Sequence, residues 1–488
     1  MLFNSVQFLI FFPLVTALYF LLPHRARWLL LLAASCYFYM AFVPQYILIL
    51  GFTIVIDYAA GIIVENSRGA SRKQWLVASL IANLGVLFVF KYFNFVGDTV
   101  ASVANAILGG HSVDIVLAIV LPIGLSFHTF QSLSYTIEVY RGRQAAEHHF
   151  GIYALYVMFY PQLVAGPIER PQHMLHQFRE RHAFDETRVR SGLQLMAWGM
   201  FKKVVIADRL AIPVNEVFGH YQLYSGPAFL LATIFFAFQI YCDFSGYSDI
   251  AIGSAQVMGF DLMQNFRRPY HARSIAEFWT RWHISLSSWF RDYLYIPLGG
   301  SRVAKWRWCL NVLIVFLVSG LWHGAQWTFV AWGALHGIYL IAENLLAPGA
   351  GRLTEFTRLN RIPRLLIDVQ VLLTFALVCY AWIFFRAGSL SQVWYMSIGI
   401  FNGFGELKNP ATLVSLLGAF GGVSELCLSL ALIAVLEGVH LLQIRGSIRE
   451  RLAAQPAWVR WPVDYAGIAA LVLLGVFARP SSFIYFQF

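Results

Sequence analysis

The sequence predicts an all-α polytopic membrane protein, and three observations carry that prediction. Of its 488 residues, 59% are hydrophobic and only 12% charged, whereas soluble domains carry about 25% charged and about 45–50% apolar residues. The apolar residues gather in runs near the ~20 residues that carry a helix across the hydrocarbon core. The ten-residue alternation of a membrane barrel is missing, which leaves helices as the spanning element. The basic residues sit in short loops between the runs. A net charge of +10 is therefore better explained by the positive-inside rule than by nucleic-acid binding.

Taken in order, the candidate spans are residues 3–22, 27–43, 46–64, 75–96, 113–138, 191–217, 226–256, 306–322, 326–346, 364–386, 412–440 and 461–479. About eleven to twelve transmembrane helices are expected. The first run has no basic segment before it and no A-x-A site after it, so it reads as a retained span. Loop charge places the N-terminus outside: Arg25 and Arg27, then Arg68, Arg72 and Lys73, then Arg141 and Arg143 mark inner loops. Residues 94–112 carry no Lys or Arg, as an outer loop should. Residues 150–165 are apolar but lie between two inner loops, and Pro161 and Gly166-Pro167 break helices there. That segment reads as re-entrant, buried in protein or lining a cavity. Residues 278–298 are aromatic and amphipathic but too charged to span, and are expected at the cytoplasmic interface or as a second re-entrant element. With no linker, internal repeat or soluble domain evident, residues 1–488 are expected to form one membrane-embedded domain. The five cysteines lie in or beside apolar runs without a C-x-x-C pair and read as buried small hydrophobes.

Ionisable groups inside hydrocarbon are costly and are functional candidates by default. Asp57, Glu138, Lys202, Lys203, Asp208, Asp243, Asp249, Arg386 and Glu437 lie in or near spans. For each, interhelical pairing or snorkelling is the expected role. His323 stands apart. It lies between two very apolar stretches, after Trp322 and before Gly324-Ala325. A neutral imidazole enters a membrane core more cheaply than a fixed charge and can act as a general base near neutral pH. Gly320 and Gly324 would give a substrate close access to that ring. On residue chemistry alone, a base and a histidine bonded between helices stay equally open. His283, beside Trp282, reads as an interfacial histidine or as a second polar group at a cytoplasmic mouth. His336 reads as structural. Metal sites are not expected: the adjacent Glu147-His148-His149 cannot converge on one ion, and His173 with His176 lack a third ligand. No P-loop, G-x-G-x-x-G or G-x-S-x-G motif occurs.

Several stretches carry a resemblance that runs along nearly the whole chain. They are Leu121-Pro122-Ile123-Gly124-Leu125-Ser126-Phe127, Gln131-Ser132-Leu133-Ser134-Tyr135, Val139-Tyr140-Arg141-Gly142, and residues 159–168. Residues 202–208 and 243–249, the block 265–300 and Leu321-Trp322-His323-Gly324-Ala325 complete the set. The chain resembles the membrane-bound O-acyltransferase family, in the bacterial branch of alginate O-acetylation and teichoic-acid D-alanylation membrane proteins. Its most specific block is 265–336, and the ending Phe483–Phe488 looks like the alginate branch. It departs from many relatives at His128, where they often carry tyrosine.

The resemblance implies tilted helices and re-entrant elements around a central tunnel, in a bacterial inner membrane. It implies acyl transfer from a cytoplasmic thioester (acetyl-CoA or an acyl-carrier protein) with no bound cofactor. The acceptor would be an exported polysaccharide, or a periplasmic partner transferase that relays the acyl group. His323 matches the catalytic histidine and would be the base on the acceptor hydroxyl. His283 matches the second signature residue and would polarise the thioester. Trp322, Gly324, Trp279, Arg281, Trp282, Ser287, Arg291, Asp292 and Asn265 are candidates to bind substrate or line the tunnel. Span parity places His283 inside and His323 toward the outer end of a thin passage. D-alanyl transfer to teichoic acid, a transporter, and a structural subunit of a polymer-export complex remain alternatives.

Overall fold

A computed structural model of the chain describes residues 1–108, 117, 121–477 and 483–484. Among these, all regular structure is helical. The start of the expected span 113–138, the end of 461–479 and most of the terminal match 483–488 lie outside the described residues. Two compact units are distinguished: Met1–Met196 with Ile250–Met263, and Ala197–Asp249 with Gln264–Phe488.

The first unit contains α1 (Val6–Leu21), α2 (His24–Met40), α3 (Tyr46–Asn66), α4 (Gly69–Leu87), α5 (Phe93–Leu108), α6 (Leu125–Tyr140), α7 (Phe150–Met158), α8 (Pro171–Met174) and most of α9 (Glu186–Met200). The Ser5 side chain caps α1 by accepting from the Phe8 N–H. Pro23 follows α1, and α2 starts directly after it. A π-turn at Phe88–Tyr92 joins α4 to α5, so the expected span 75–96 is part of a 39-residue helical stretch, Gly69–Ile107. Asp57 of α3 accepts from Ser79 Oγ (2.6 Å) and Asn83 Nδ2 (2.8 Å) of α4. The carboxylate thus pairs two helices, as its expected role requires.

The apolar run at 150–165 does not span. It forms the nine-residue α7 and a buried turn. Side chains satisfy its backbone: Gln131 and Gln162 donate to the Tyr156 carbonyl (2.5 and 2.9 Å), and the Tyr160 N–H donates to Ser35 Oγ (3.0 Å). This enclosure in protein is what non-helical backbone at membrane depth needs.

The second unit contains α10 (Asp208–Gly219), the larger part of α11 (Gly226–Met258), α12 (Ile275–Arg281), α13 (Ile284–Phe290), α14 (Lys305–His323), α15 (Trp327–Phe356), α16 (Pro363–Arg386), α17 (Leu390–Gly399), α18 (Pro410–Ala419), α19 (Gly422–Gln443), α20 (Ile448–Ala453) and α21 (Ala457–Leu474). At 33 residues α11 is about 50 Å long, well beyond the ~30 Å hydrocarbon core. It is also the most enclosed span, with 83% of its apolar window buried, against none for α21.

Eight helices among the described residues are long and apolar enough to cross a membrane. Two expected spans resolve into broken elements. Residues 412–440 divide at Phe420-Gly421, where Gly421 takes φ 77°, a conformation that ends α18 at little steric cost. Residues 191–217 become α9, a π-turn at Phe201–Ala207 and α10. The turn carries two buried lysines. Lys203 Nζ pairs with Asp208 (2.8 Å) and Asp243 (2.6 Å), and Lys202 Nζ with Asp249 (2.8 Å) and Ser245 Oγ (2.9 Å). Asp243 also accepts from the Ile484 backbone N–H at 2.7 Å.

Candidate active site

The segment 265–292 is neither a span nor a simple surface helix. Two short helices, α12 and α13, meet at His283. Ser274 caps α12 by accepting from the Glu277 N–H. His283 sits at φ 44°, ψ 55°, a left-handed backbone immediately before α13. Such a conformation costs an L-residue roughly 1–2 kcal/mol, so its surroundings must hold it.

They do so by tying residues 265–267 to residues 281–285. The Arg267 N–H donates to the Arg281 carbonyl and the Ile284 N–H to the Asn265 carbonyl, both at 2.9 Å. Asn265 Oδ1 accepts from the Ser285 N–H (3.2 Å) and Ser285 Oγ (3.0 Å). The Ser287 N–H donates to the His283 carbonyl (2.9 Å), and Ser287 Oγ to the Trp282 carbonyl (3.1 Å). Asn265, His283 and Ser285 are buried. Strain held by an over-determined frame is common at functional sites.

The His283 ring lies edge-on to Phe244, centroids 4.6 Å apart, and 5.9 Å from Trp322. It is 6.4 Å from the His323 ring. His323 is the last residue of α14 and only 3% exposed. Its ring packs edge-on against Trp322 and Trp332 (both 5.0 Å) and against Phe385 (5.4 Å). The two histidines therefore share one buried aromatic enclosure. The expectation that His283 and His323 lie at opposite ends of a passage is corrected. Span parity treats a chain as straight rods, whereas the α12–α13 corner turns inward and brings His283 to the end of α14.

A close crossing of α14 and α15 fixes His323. A Cβ on Gly320 would lie 2.3 Å from the Phe329 carbonyl oxygen, and one on Gly333 would lie 2.2 Å from that of Phe316. The Phe329 ring fills the space a Cβ on Gly324 would need, at 2.2 Å. These glycines thus let two helices approach. The expected substrate access along Gly320 and Gly324 is taken up by Phe329.

The remaining candidates divide. Trp282, 1% exposed, stacks on Phe278 (5.5 Å) and packs against Phe266 (5.1 Å) and Trp382 (5.1 Å), next in sequence to His283. Trp322 touches both histidine rings. Trp279 belongs to a neighbouring cluster, with Trp332 and His336 at 5.8 and 5.0 Å. His336 is fully buried among Phe278, Trp279, Phe316 and Trp332, in keeping with a packing role. Arg281 pairs with Glu277 and also reaches the Arg268 carbonyl (3.4 Å). Arg291, on the π-turn after α13, pairs with Asp292 at 2.9 Å and is 64% exposed. It is not part of the enclosure.

The sequence motifs considered for metal go to separate partners: Glu147 to Arg179, His148 to Glu65, and His149 to the α7 cap. His173 pairs with the buried Glu169 at 2.8 Å, which holds its imidazole above the usual histidine range. Another constellation went unseen. His271, Glu437 and His440 converge with donor atoms within 4.8 Å of one another. The sequence separates His271 from Glu437 by 166 positions, and the only local sign is the i, i+3 pair Glu437 and His440.

Chemically, two imidazoles this close in an apolar enclosure suit a reaction that moves a proton and polarises a carbonyl. Comparison with known proteins points the same way. The profile described as MBOAT, membrane-bound O-acyltransferase family, matches residues 129–387. A probable alginate O-acetylase of Azotobacter vinelandii is 39% identical over 445 residues, covering 89% of this chain and 84% of the relative. One from Pseudomonas aeruginosa is 40% identical over 406 residues, covering 82% and 75%. A peptidoglycan O-acetyltransferase of Helicobacter pylori is 35% identical over 427 residues, covering 80% and 78%.

Proposed function

We propose that this chain, which belongs to the membrane-bound O-acyltransferase family, moves acetyl groups from a cytoplasmic thioester to the hydroxyl of an exported polysaccharide or of a periplasmic partner protein. The protein is a multi-pass membrane acyltransferase. The donor, the direction and the bacterial inner membrane are parts of this reading. The single observation that carries it is the 6.4 Å approach of the His283 and His323 rings inside one buried aromatic enclosure.

In the proposed step, His323 takes the proton of the acceptor hydroxyl as its oxygen attacks the thioester carbonyl. The tetrahedral intermediate collapses, the C–S bond breaks, and the thiolate leaves and is protonated. His283 polarises the thioester carbonyl or orients it. Trp322, packed on both rings, keeps water from competing as the nucleophile. Asn265, Ser285 and Ser287 hold the backbone that presents His283; they position and do not react. No bound cofactor is needed for this step.

Reconstitution tests the direction and the donor. Proteoliposomes would be supplied with labelled acetyl-CoA or labelled acetyl-carrier protein on one face and a glycan acceptor, with or without a periplasmic transferase, on the other. The proposal expects label on the acceptor with one of these donors, and only from the face that bears the basic loops. Transport of the donor without transfer would favour a transporter. Transfer of D-alanyl but not acetyl would favour the teichoic-acid activity.

A further inference from the structure

We propose that His271, Glu437 and His440 form a binding site for one first-row divalent cation of the zinc class. This inference rests on the geometry of that cluster and does not depend on the acyl-transfer reading. The three residues come from two elements. His271 ends the 3-10 turn Pro269–His271, while Glu437 and His440 sit one turn apart on α19. His271 Nε2 lies 2.7 Å from Glu437 Oε2, and His440 Nδ1 lies 3.2 Å from Glu437 Oε1. Two imidazole nitrogens and a carboxylate are a donor set that zinc accepts, with a fourth position for water. Tetrahedral bonds of about 2.0–2.2 Å put ligand atoms roughly 3.4 Å apart. The three donors already fall within 4.8 Å of one another, so shifts of about an ångström bring them to an ion.

A second feature points to a ligand. The far nitrogen of His440, Nε2, is 3.0 Å from the hydroxyl of the buried Tyr241. Metal-bound histidines characteristically give their other ring N–H to such an outer partner, which fixes tautomer and ring orientation. A phenol hydroxyl can accept that N–H, leaving the Nδ1 lone pair for the ion. It can also donate to Nε2 when Nδ1 carries the proton, as the hydrogen bond to Glu437 needs without metal. The site thus accommodates both states. His271 and Glu437 are about a quarter exposed, which gives an ion a way in.

Occupied, the site would fasten the turn at 269–271 to α19. That turn lies in the segment leading to His283. Tyr241 also packs against Phe266 and Trp282, at 5.9 and 6.2 Å. The ion would therefore be a structural clasp for the candidate active-site segment.

The test uses full-length protein in detergent, purified without a histidine tag and stripped with a chelator. Zinc is then titrated against a chromophoric competitor, and bound metal is counted by elemental analysis after desalting. One zinc per chain is expected, with thermal stability rising as zinc is added. Glu437→Gln and His271→Gln should weaken binding at least 100-fold and abolish the stabilisation. Tyr241→Phe should weaken it by about 10- to 100-fold. Should a Glu437 variant not fold, the quarter-exposed His271→Gln and the zinc-dependent stabilisation of the wild type decide the matter. Absence of stoichiometric zinc in the wild type, or equal binding in His271→Gln, overturns the proposal.

Discussion

Asn265→Ala isolates the frame that holds His283. The substitution removes Oδ1, the acceptor of both the Ser285 N–H and Ser285 Oγ. The Ser285 backbone donor is then buried without a partner, at a cost of roughly 1–3 kcal/mol, and the lost hydroxyl bond adds roughly 0.5–1.5 kcal/mol. Together these reach about 1.5–4.5 kcal/mol. That matches or exceeds the roughly 1–2 kcal/mol by which His283 prefers to leave its left-handed backbone. The α12–α13 corner should therefore relax and carry the ring away from His323. At about 1.4 kcal/mol per tenfold, a loss of this size shifts the balance from the held to the relaxed corner by about tenfold or more. Acyl transfer by the folded protein should fall by about 10- to 100-fold, mainly in kcat. Ser285→Ala keeps the backbone bond and should cost only about 0.5–1.5 kcal/mol. The double variant should cost less than the sum of the two, because both remove the same Oγ–Oδ1 bond. Thermal unfolding in detergent and initial rates with labelled donor measure the two effects. Wild-type turnover and stability in Asn265→Ala would refute the idea that this frame positions His283.

Three further expectations come from packing and charge. Gly320→Ala places a methyl 2.3 Å from the Phe329 carbonyl. Backbone cannot yield as a side-chain tip can, so about 1–3 kcal/mol of stability should be lost, with lower activity because α14 carries His323; an unchanged melting temperature would contradict the crossing. Lys203→Met leaves Asp208 and Asp243 without their shared cation and should cost about 3–5 kcal/mol, read as lost folded yield and a lower melting temperature. His173, whose pKa is raised chiefly by its hydrogen bond to Glu169, contributes stability below the ordinary histidine pKa of about 6.5. That contribution is lost as pH rises through the higher folded value. The stability advantage of wild type over His173→Gln should accordingly shrink as pH rises above about 6.5; an advantage that grew with pH there would contradict the pairing.

Much of the architecture is legible because the bilayer imposes a length and a composition. The run 306–322 predicts α14 (Lys305–His323) closely, and 364–386 predicts α16 (Pro363–Arg386). Loop charge and Pro161 mark 150–165 as something other than a span, and it forms a nine-residue helix with a buried turn. Hydropathy averages over breaks, and so misses the division at Gly421 and the π-turn at Phe201–Ala207. Both depend on local backbone states rather than on polarity. The two candidate histidines are legible as unusual polar residues, but not their approach. That depends on a left-handed backbone at His283, held by Asn265 from eighteen positions earlier. The cluster of His271, Glu437 and His440 is less legible still, since its members meet only when α19 packs against the 269–271 turn.

We propose that His323 and His283 together carry out acyl transfer within one enclosure. The most direct test is the rate of labelled acetyl transfer by purified His323→Ala, checked for wild-type folding, with His283→Ala measured alongside. Loss of a positioned general base lowers rates by about 100- to 10,000-fold. A fall of that size is expected for His323→Ala, and a marked fall for His283→Ala. A folded His323→Ala protein that transfers acetyl at the wild-type rate would contradict the proposal.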